Sequence, residues 1–161
     1  YAQERYCQIY YNLYGLETVA LRYFNVFGPN QDPTSQYSAV IPKFIKLMRE
    51  DKEPVIYGDG TQSRDFTYVD NVVFANILAC IAEKAAGEVI NIACGESYTL
   101  LELVKMINEI LGKNIEPRFA PERPGDVKHS WAGIDKAKEL LDYEVKVVFK
   151  EGLARTINFF H

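Results

Sequence analysis

Apolar residues return at three- and four-residue intervals over 1–14, where Ala2, Tyr6, Ile9, Tyr10, Leu13 and Tyr14 alternate with Gln3, Glu4, Arg5, Gln8 and Asn12. That spacing predicts a helix, stopped by Gly15. Over 18–26 the pattern changes to a β-branched, apolar run with Arg22 inside it, the mark of a buried strand in a parallel sheet. Gly28-Pro29-Asn30-Gln31-Asp32-Pro33 ends the run, since no strand continues through those prolines. An amphipathic helix is predicted over 38–50, with Pro42 in its first turn, where a missing N–H does no harm. Short strands follow over 55–57 and 66–69. Asp70 is expected to cap a helix over 70–84, apolar enough (Val72, Val73, Phe74, Ile77, Leu78, Ile81) to be well buried. Next come a strand over 88–93 and the capping box Thr99-Leu100-Leu101-Glu102, which opens a helix that runs to Leu111 and stops at Gly112. A strand over 115–119, a proline-rich turn over 121–126, a helix over 135–141 capped by Asp135 and a last helix over 149–160 complete a mixed α/β order.

The length of 161 residues suits one domain with a core of its own. A net charge of −4 argues against a nucleic-acid or anionic-membrane partner, while leaving room for a local basic pocket. Cys7, Cys80 and Cys94 are odd in number and far apart, as buried thiols of a reducing compartment are; two histidines argue against a histidine metal centre. No apolar run is long enough to span a membrane. Cytoplasmic residence is the expectation. Five tyrosines fall within the first fourteen residues, and the chain opens without Met inside a helical pattern, which looks like a cut edge.

Three places gather polar groups where the backbone turns tightly. In Gly58-Asp59-Gly60-Thr61-Gln62-Ser63-Arg64, two glycines beside an aspartate permit φ > 0 and close backbone approach. Arg64 stands where that turn meets the returning strand, as a fork for phosphate or carboxylate or as an ordinary solvated arginine. Asn25 ends a predicted buried strand, where open α/β sheets place ligands, or simply caps the strand end. Arg123-Pro124-Gly125-Asp126 could clamp a phosphate with its arginine and a ribose diol with its aspartate, or form a self-satisfied surface pair. No G-x-G-x-x-G, P-loop or H-E-x-x-H is present, and no Ser-His-Asp or Cys-His set is readable. Tyr1 and Arg5 mimic a Y-x-x-x-K pair, but arginine does not deprotonate usefully.

Leu21-Arg22-Tyr23-Phe24-Asn25-Val26-Phe27-Gly28-Pro29, Val40-Ile41-Pro42, the Gly58-to-Asp70 stretch, Asn91-Ile92-Ala93 and Arg123-Pro124-Gly125-Asp126 follow one another in a familiar order. Across essentially the whole chain they resemble the C-terminal half of the extended short-chain dehydrogenase/reductases, the NAD-dependent nucleotide-sugar epimerase/dehydratase family. Gln31-Asp32-Pro33 and Ala39-Val40-Ile41-Pro42 look most like UDP-glucose and UDP-N-acetylglucosamine 4-epimerases, and less like 4,6-dehydratases or UDP-glucuronate decarboxylases. The resemblance implies an α/β fold: a C-terminal substrate-binding lobe plus the last strand and helix of a truncated Rossmann-type domain. It implies a single domain over 1–161, with 1–33 the remnant of the NAD-binding fold and 34–161 the nucleotide-sugar lobe.

In such epimerases a tyrosine, its pKa lowered by a nearby lysine and NAD⁺, takes the sugar 4-hydroxyl proton while hydride leaves C4 for NAD⁺; the 4-keto sugar then receives hydride on its other face. Carried over by position, Tyr23 would touch the nicotinamide end of NAD through its backbone. Asn25 would hold the substrate diphosphate, and Arg64 and Arg123 would neutralise it. Val40, Val55 and Tyr57 would wall the uracil, and Asp126 would accept from the ribose hydroxyls. Ala39 stands where some relatives carry a polar residue near the sugar or phosphate. The catalytic tyrosine and lysine and the glycine-rich NAD loop have no counterpart here. The expectation is therefore a chain that binds UDP-sugar, binds no NAD, turns nothing over by itself and self-associates, by exchange of helix 1–14 or strand 18–26 between copies. A non-catalytic nucleotide-sugar-binding module and a purely structural remnant are the rival expectations.

Overall fold

A computed structural model of the chain describes residues 1–32 and 40–160. Pro33, Ala39, the expected start of a helix at 38 and the terminal His161 lie outside the described residues. Ala2–Tyr14 forms α1, and Gly15 ends it in the left-handed conformation, as its sequence position predicts. The run expected as one strand over 18–26 is two, β1 (Ala20–Tyr23) and β2 (Val26–Phe27). Between them Asn25 has φ 37°, a value that asparagine tolerates and a β-branched residue does not. Its Nδ2 donates to the Asp65 carbonyl at 2.9 Å, and its own carbonyl accepts from the Thr67 N–H. The bend is held from both sides.

The helix α2 covers Val40–Arg49, and β3 (Val55–Tyr57), β4 (Ser63–Arg64) and β5 (Thr67–Tyr68) follow. Next, α3 covers Val69–Ile81, β6 Val89–Ile92, β7 Tyr98–Thr99 and α4 Leu100–Leu111. Finally β8 covers Arg118–Ala120, β9 His129–Ser130, α5 Asp135–Leu141 and α6 Phe149–Phe159. Three parallel pairs, β1–β6, β2–β5 and β3–β8, join segments distant in the chain; β4 pairs antiparallel with β7 and parallel with β9. As expected of a strand in a parallel sheet, β1 pairs along its whole length with β6, from Ala20–Val89 to Tyr23–Ile92.

Two caps differ from expectation. Tyr68, not Asp70, precedes α3, and Asp70 sits in the first turn, where its charge complements the helix dipole. Likewise Ile134 precedes α5, and Asp135 is already helical. The capping box at Thr99 and Glu102 forms as predicted, with both reciprocal hydrogen bonds. A larger correction concerns α3. It buries only Asn71, Val72 and Ala75, while Val73, Ile77 and Ile81 are exposed, because an all-round apolar helix here has packing partners on one side only.

The main core packs α2, α4 and α6 around Phe27, Phe66 and Phe149; Phe66 and Phe149 stack at 5.2 Å, and Phe27 meets both edge-on. Gly152 lets α6 close on this cluster, since a Cβ there would lie 2.7 Å from Tyr68 Cδ2. A second core lies between β6, α3 and α5. Two buried polar side chains stitch the layers together. Asn71 donates to the Val147 carbonyl at 2.8 Å and accepts from the Lys146 and Val147 N–H groups at 3.0 Å. Asp65, with no exposed surface, accepts from the Cys94 N–H at 2.9 Å and the Gly95 N–H at 3.0 Å.

Burial pushes the Asp65 carboxyl above its ordinary range, against the backbone donors of Cys94, Gly95 and Ala132. A folded-state pKa above the unfolded one makes this contribution full below the ordinary carboxylate range and smaller as pH rises through the folded value. Asp65→Asn replaces one acceptor oxygen with a donor facing an N–H. It is expected to lose about 1–3 kcal/mol in urea denaturation at neutral pH, and to remove the decline in stability from the ordinary carboxylate range upward. Equal stability of the two proteins across that range would refute this account of Asp65.

Candidate functional site

The site grows from the turn between β3 and β4. Gly58 and Gly60 have φ 87° and 80°, which glycine adopts without strain. Asp59 Oδ1 accepts from the Thr61 N–H at 2.9 Å and from Thr61 Oγ1 at 2.6 Å. The Gln62 amide donates through Nε2 to the Tyr57 carbonyl at 2.6 Å, across the mouth of the turn. The N–H groups of Leu100 and Leu101, at the start of α4, bond the carbonyls of Gln62 and Gly60. The turn is thereby fastened to a helix terminus, and residues on either side of it are held in place.

Leaving the turn, β4 presents Arg64, whose side chain is 17% exposed. Its Nη1 donates to the carbonyls of Ser63 at 2.9 Å and Lys128 at 3.3 Å, and its Nη2 donates to Asp126 Oδ1 at 2.6 Å. The reading of Arg123 and Asp126 as a self-satisfied pair is corrected by this arrangement. Asp126 pairs with Arg64, whereas Arg123 lies over the Tyr57 ring at 3.7 Å from its centroid. Only the turn hydrogen bond from the Asp126 N–H to the Arg123 carbonyl joins the two backbones.

A cavity of about 270 Å³ opens here, and every residue singled out from the sequence except Tyr23 lines it: Asn25, Val40, Val55, Tyr57, Arg64, Arg123 and Asp126. Sequence reasoning missed Lys43 and Gln62, which line it too, together with apolar side chains such as Phe27 and Leu100. Lys43 stands one helical turn beyond Val40, so the spacing of α2 carried that signal; Gln62 carried none, because its place depends on how the turn closes. The polar lining has three cations, Lys43, Arg64 and Arg123, against one carboxylate, Asp126. In a chain of net charge −4 this is a local reversal of sign suited to a multiply charged anion. Val40, Val55 and Tyr57 add an apolar wall, so the arrangement can hold an anion joined to a less polar group.

Tyr23 lies apart. Its hydroxyl donates to Asn76 Oδ1 at 3.0 Å in a separate cleft of about 410 Å³, lined by β1 and α3 residues such as Leu21 and Cys80. Tyr1 and Arg5 form a hydrogen bond at 3.1 Å on the exposed face of α1. Among the described residues no cluster of His, Cys, Asp and Glu could hold a metal ion, and no helix is long and apolar enough to cross a membrane.

Residues 1–93 match the Epimerase family, described as the NAD dependent epimerase/dehydratase family. A UDP-glucuronate 4-epimerase from Thermodesulfobacterium geofontis is 38% identical over 93% of this chain and 45% of its own length. Among solved structures, a UDP-N-acetylglucosamine 4-epimerase from Methanobrevibacter ruminantium, in complex with UDP-N-acetylmuramic acid, superposes with a TM-score of 0.93 at 44% identity, covering 99% of this chain and 51% of that one. A UDP-glucose 4-epimerase from Thermotoga maritima with UDP-glucose has the same TM-score at 43% identity and the same coverage. The chain spans about half the length of the relatives it matches. It belongs to the NAD dependent epimerase/dehydratase family.

The contact between Arg123 and Tyr57 has an optical signature. The Arg123 guanidinium, through hydrogen bonding and then charge, holds the Tyr57 phenol below its ordinary range; desolvation opposes it, and Arg118 and Lys43 add smaller attractions. Arg123→Ala is therefore expected to move one tyrosine titration to higher pH in ultraviolet absorbance, and Tyr57→Phe to delete that same titration. Identical titration curves for the wild type and Arg123→Ala would refute the contact.

Proposed function

We propose, from the premise of that family membership, that this chain is the nucleotide-sugar-binding portion of an NAD-dependent UDP-sugar 4-epimerase. The observation that carries the reading is the cationic cavity walled by Tyr57, in which sequence positions far apart converge. In it Arg64 and Arg123 neutralise the diphosphate and Asn25 holds it, while Val40, Val55 and Tyr57 wall the uracil. Asp126 accepts from the ribose hydroxyls with the carboxylate that also holds Arg64 in place. Similar proteins named as 4-epimerases span 33–44% identity, against 33% for a UDP-N-acetyl-alpha-D-glucosaminuronate decarboxylase, and this favours C4 inversion over decarboxylation.

Of the residues singled out from the sequence only Tyr23 is assigned to NAD, through its backbone on β1, whose pairing is with β6 alone among the described strands. When bound, NAD supplies the hydride acceptor and donor at C4. In this reading NAD and the proton-transferring tyrosine and lysine belong to the half of the relatives' length outside the match. What these residues do is bind and orient the nucleotide.

Self-association belongs to the same reading. Tyr6, Ile9, Tyr10, Leu13 and Tyr14 of α1 are exposed, and so are Val73, Ile77 and Ile81 of α3. Apolar faces of this extent in soluble proteins usually mark contact surfaces.

Two measurements test the proposal. UDP or UDP-sugar at about a hundred times Kd should stabilise the chain by about 2.7 kcal/mol, roughly 5–10 °C in melting temperature, whereas NAD⁺ should not. Arg64→Ala should abolish the UDP shift while its unliganded melting point serves as the folding control. No shift with any nucleotide would overturn the binding reading. Light scattering at increasing concentration should give a mass above that of one chain, and a monomer throughout would overturn the self-association.

A further inference from the structure

The strand β1 is open along one edge. The Thr18 carbonyl accepts from the Gly87 N–H, and the N–H groups of Ala20 and Phe24 donate to the Glu88 and Ile92 carbonyls, so the even-numbered residues carry the bonds to β6. Main-chain groups point to alternate sides along a strand, and those of Val19, Leu21 and Tyr23 therefore face away from β6. Among the described residues no second strand pairs there. The side chains alternate as well. Arg22 turns to α1, where Glu4 takes it at 2.7 Å, and Tyr23 turns to α3, where it donates to Asn76. The cleft of about 410 Å³ is on the α3 side, lined by Val19, Leu21 and Tyr23 from the strand and by Asn76, Cys80 and Ile81 from the helix. Val73 and Ile77, exposed like Ile81 and spaced four residues apart, continue the same stripe of α3.

An open edge is a template for another strand unless proline or charge blunts it. This one has neither proline nor lysine, and its one cation, Arg22, is neutralised by Glu4. A second copy of the chain is complementary to it. Paired antiparallel about a twofold axis through Leu21, the two edges set Leu21 against Leu21 of the second copy and Val19 against Tyr23 of the second copy, each pair exchanging main-chain hydrogen bonds. These side chains share the α3 face, and a β-branched residue opposite an aromatic one is a favourable cross-strand pair. Charge selects this register over its neighbours. Here Arg22 stands opposite Ala20 of the second copy and keeps Glu4, whereas an axis at Arg22 would set two arginines face to face. An axis at Ala20 would set Tyr23 against Glu17 of the second copy, a carboxylate within an apolar pairing. The twofold axis stands perpendicular to the sheet and brings both α3 stripes to one face, so a single contact covers the strand edge and the exposed apolar side chains together. We propose that the open edge of β1 is a docking surface for a second copy of this chain, paired antiparallel about Leu21. The proposal rests on the self-association read above and names its surface and register.

Amide hydrogen exchange followed by NMR over a dilution series tests this with the unaltered chain. The Ala20, Arg22 and Phe24 amides should be protected at every concentration, because β6 holds them. Those of Leu21 and Tyr23 should be protected only where light scattering gives two chains. On dilution to one they should exchange about tenfold faster, the worth of one hydrogen bond near the upper end of its range. A cross-link checks the register. Leu21→Cys, in a chain that also carries Cys7→Ser and Cys80→Ser, should form a disulfide-linked dimer on oxidation, since opposed residues of a hydrogen-bonded antiparallel pair have Cα atoms about 5.5 Å apart. Tyr23→Cys in the same background should not, because its two copies stand about 14 Å apart along the strands. A dimer in which Leu21 and Tyr23 exchange freely is joined through another face, such as α1; it overturns the proposal and leaves self-association standing. Protection of both amides in a monomer gives the edge to a segment of the same chain and overturns the proposal too. A monomer with both amides unprotected overturns the proposal and the self-association together. Should Leu21→Cys fail to fold, the exchange measurement decides by itself.

Discussion

A buried carboxylate must find donors, and here the donors it finds hold distant parts of the chain together. The Asp65 side chain takes the N–H groups of Cys94 and Gly95, its own N–H goes to the Ser130 carbonyl, and its carbonyl accepts from Asn25. One residue thus joins the bend after β1, the strand β4, the loop after β6 and the strand β9. Successive side chains in an extended segment point to opposite faces. Asp65 turned inward therefore sends Arg64 outward, into the cavity. The place of the cation is a consequence of the place of the buried anion.

That coupling explains how an acidic chain keeps a basic cavity. Arg64 is immobilised by two carbonyls and by Asp126 before any ligand arrives, so less side-chain entropy remains to be lost on binding. Arg123 is held more loosely, on the exposed face of Tyr57, in a loop whose side chains are exposed. Lys43 has no carboxylate partner among the described residues. The cavity thus combines one pre-set cation with two others less tightly held, an arrangement suited to a multiply charged anion.

The faces of α1 and α3 follow a different logic. No residue of α1 is buried; it is attached through the Arg22–Glu4 pair at 2.7 Å and the hydrogen bond from Thr18 to the Cys7 carbonyl. A parallel pair such as β1–β6 is normally covered on both faces. Here the cleft beside Tyr23 leaves β1 and α3 side chains accessible. Relatives about twice as long superpose on this chain with TM-scores up to 0.93, so its backbone is that of a family member even where its apolar faces are open.

Helix stops at Gly15 and Gly112, the capping box at Thr99 and the tight turn at Gly58 and Gly60 were legible in the sequence, because each depends on residues within one turn of each other. Most of the cavity lining was legible too, through motifs whose order is preserved along the chain. The bend at Asn25, the exposure of α3, the pairing of Arg64 with Asp126 instead of Arg123 with Asp126, and the recruitment of Gln62 were not. Each of these depends on which segments come together. Hydrophobic period shows that a helix is apolar, not how many of its sides find partners, and sequence proximity of two charges says little when a third, sixty residues away, lies closer in space. Local chemistry therefore determined the elements and their ends, and the tertiary structure decided which donor meets which acceptor, because that choice is made by distance across the fold.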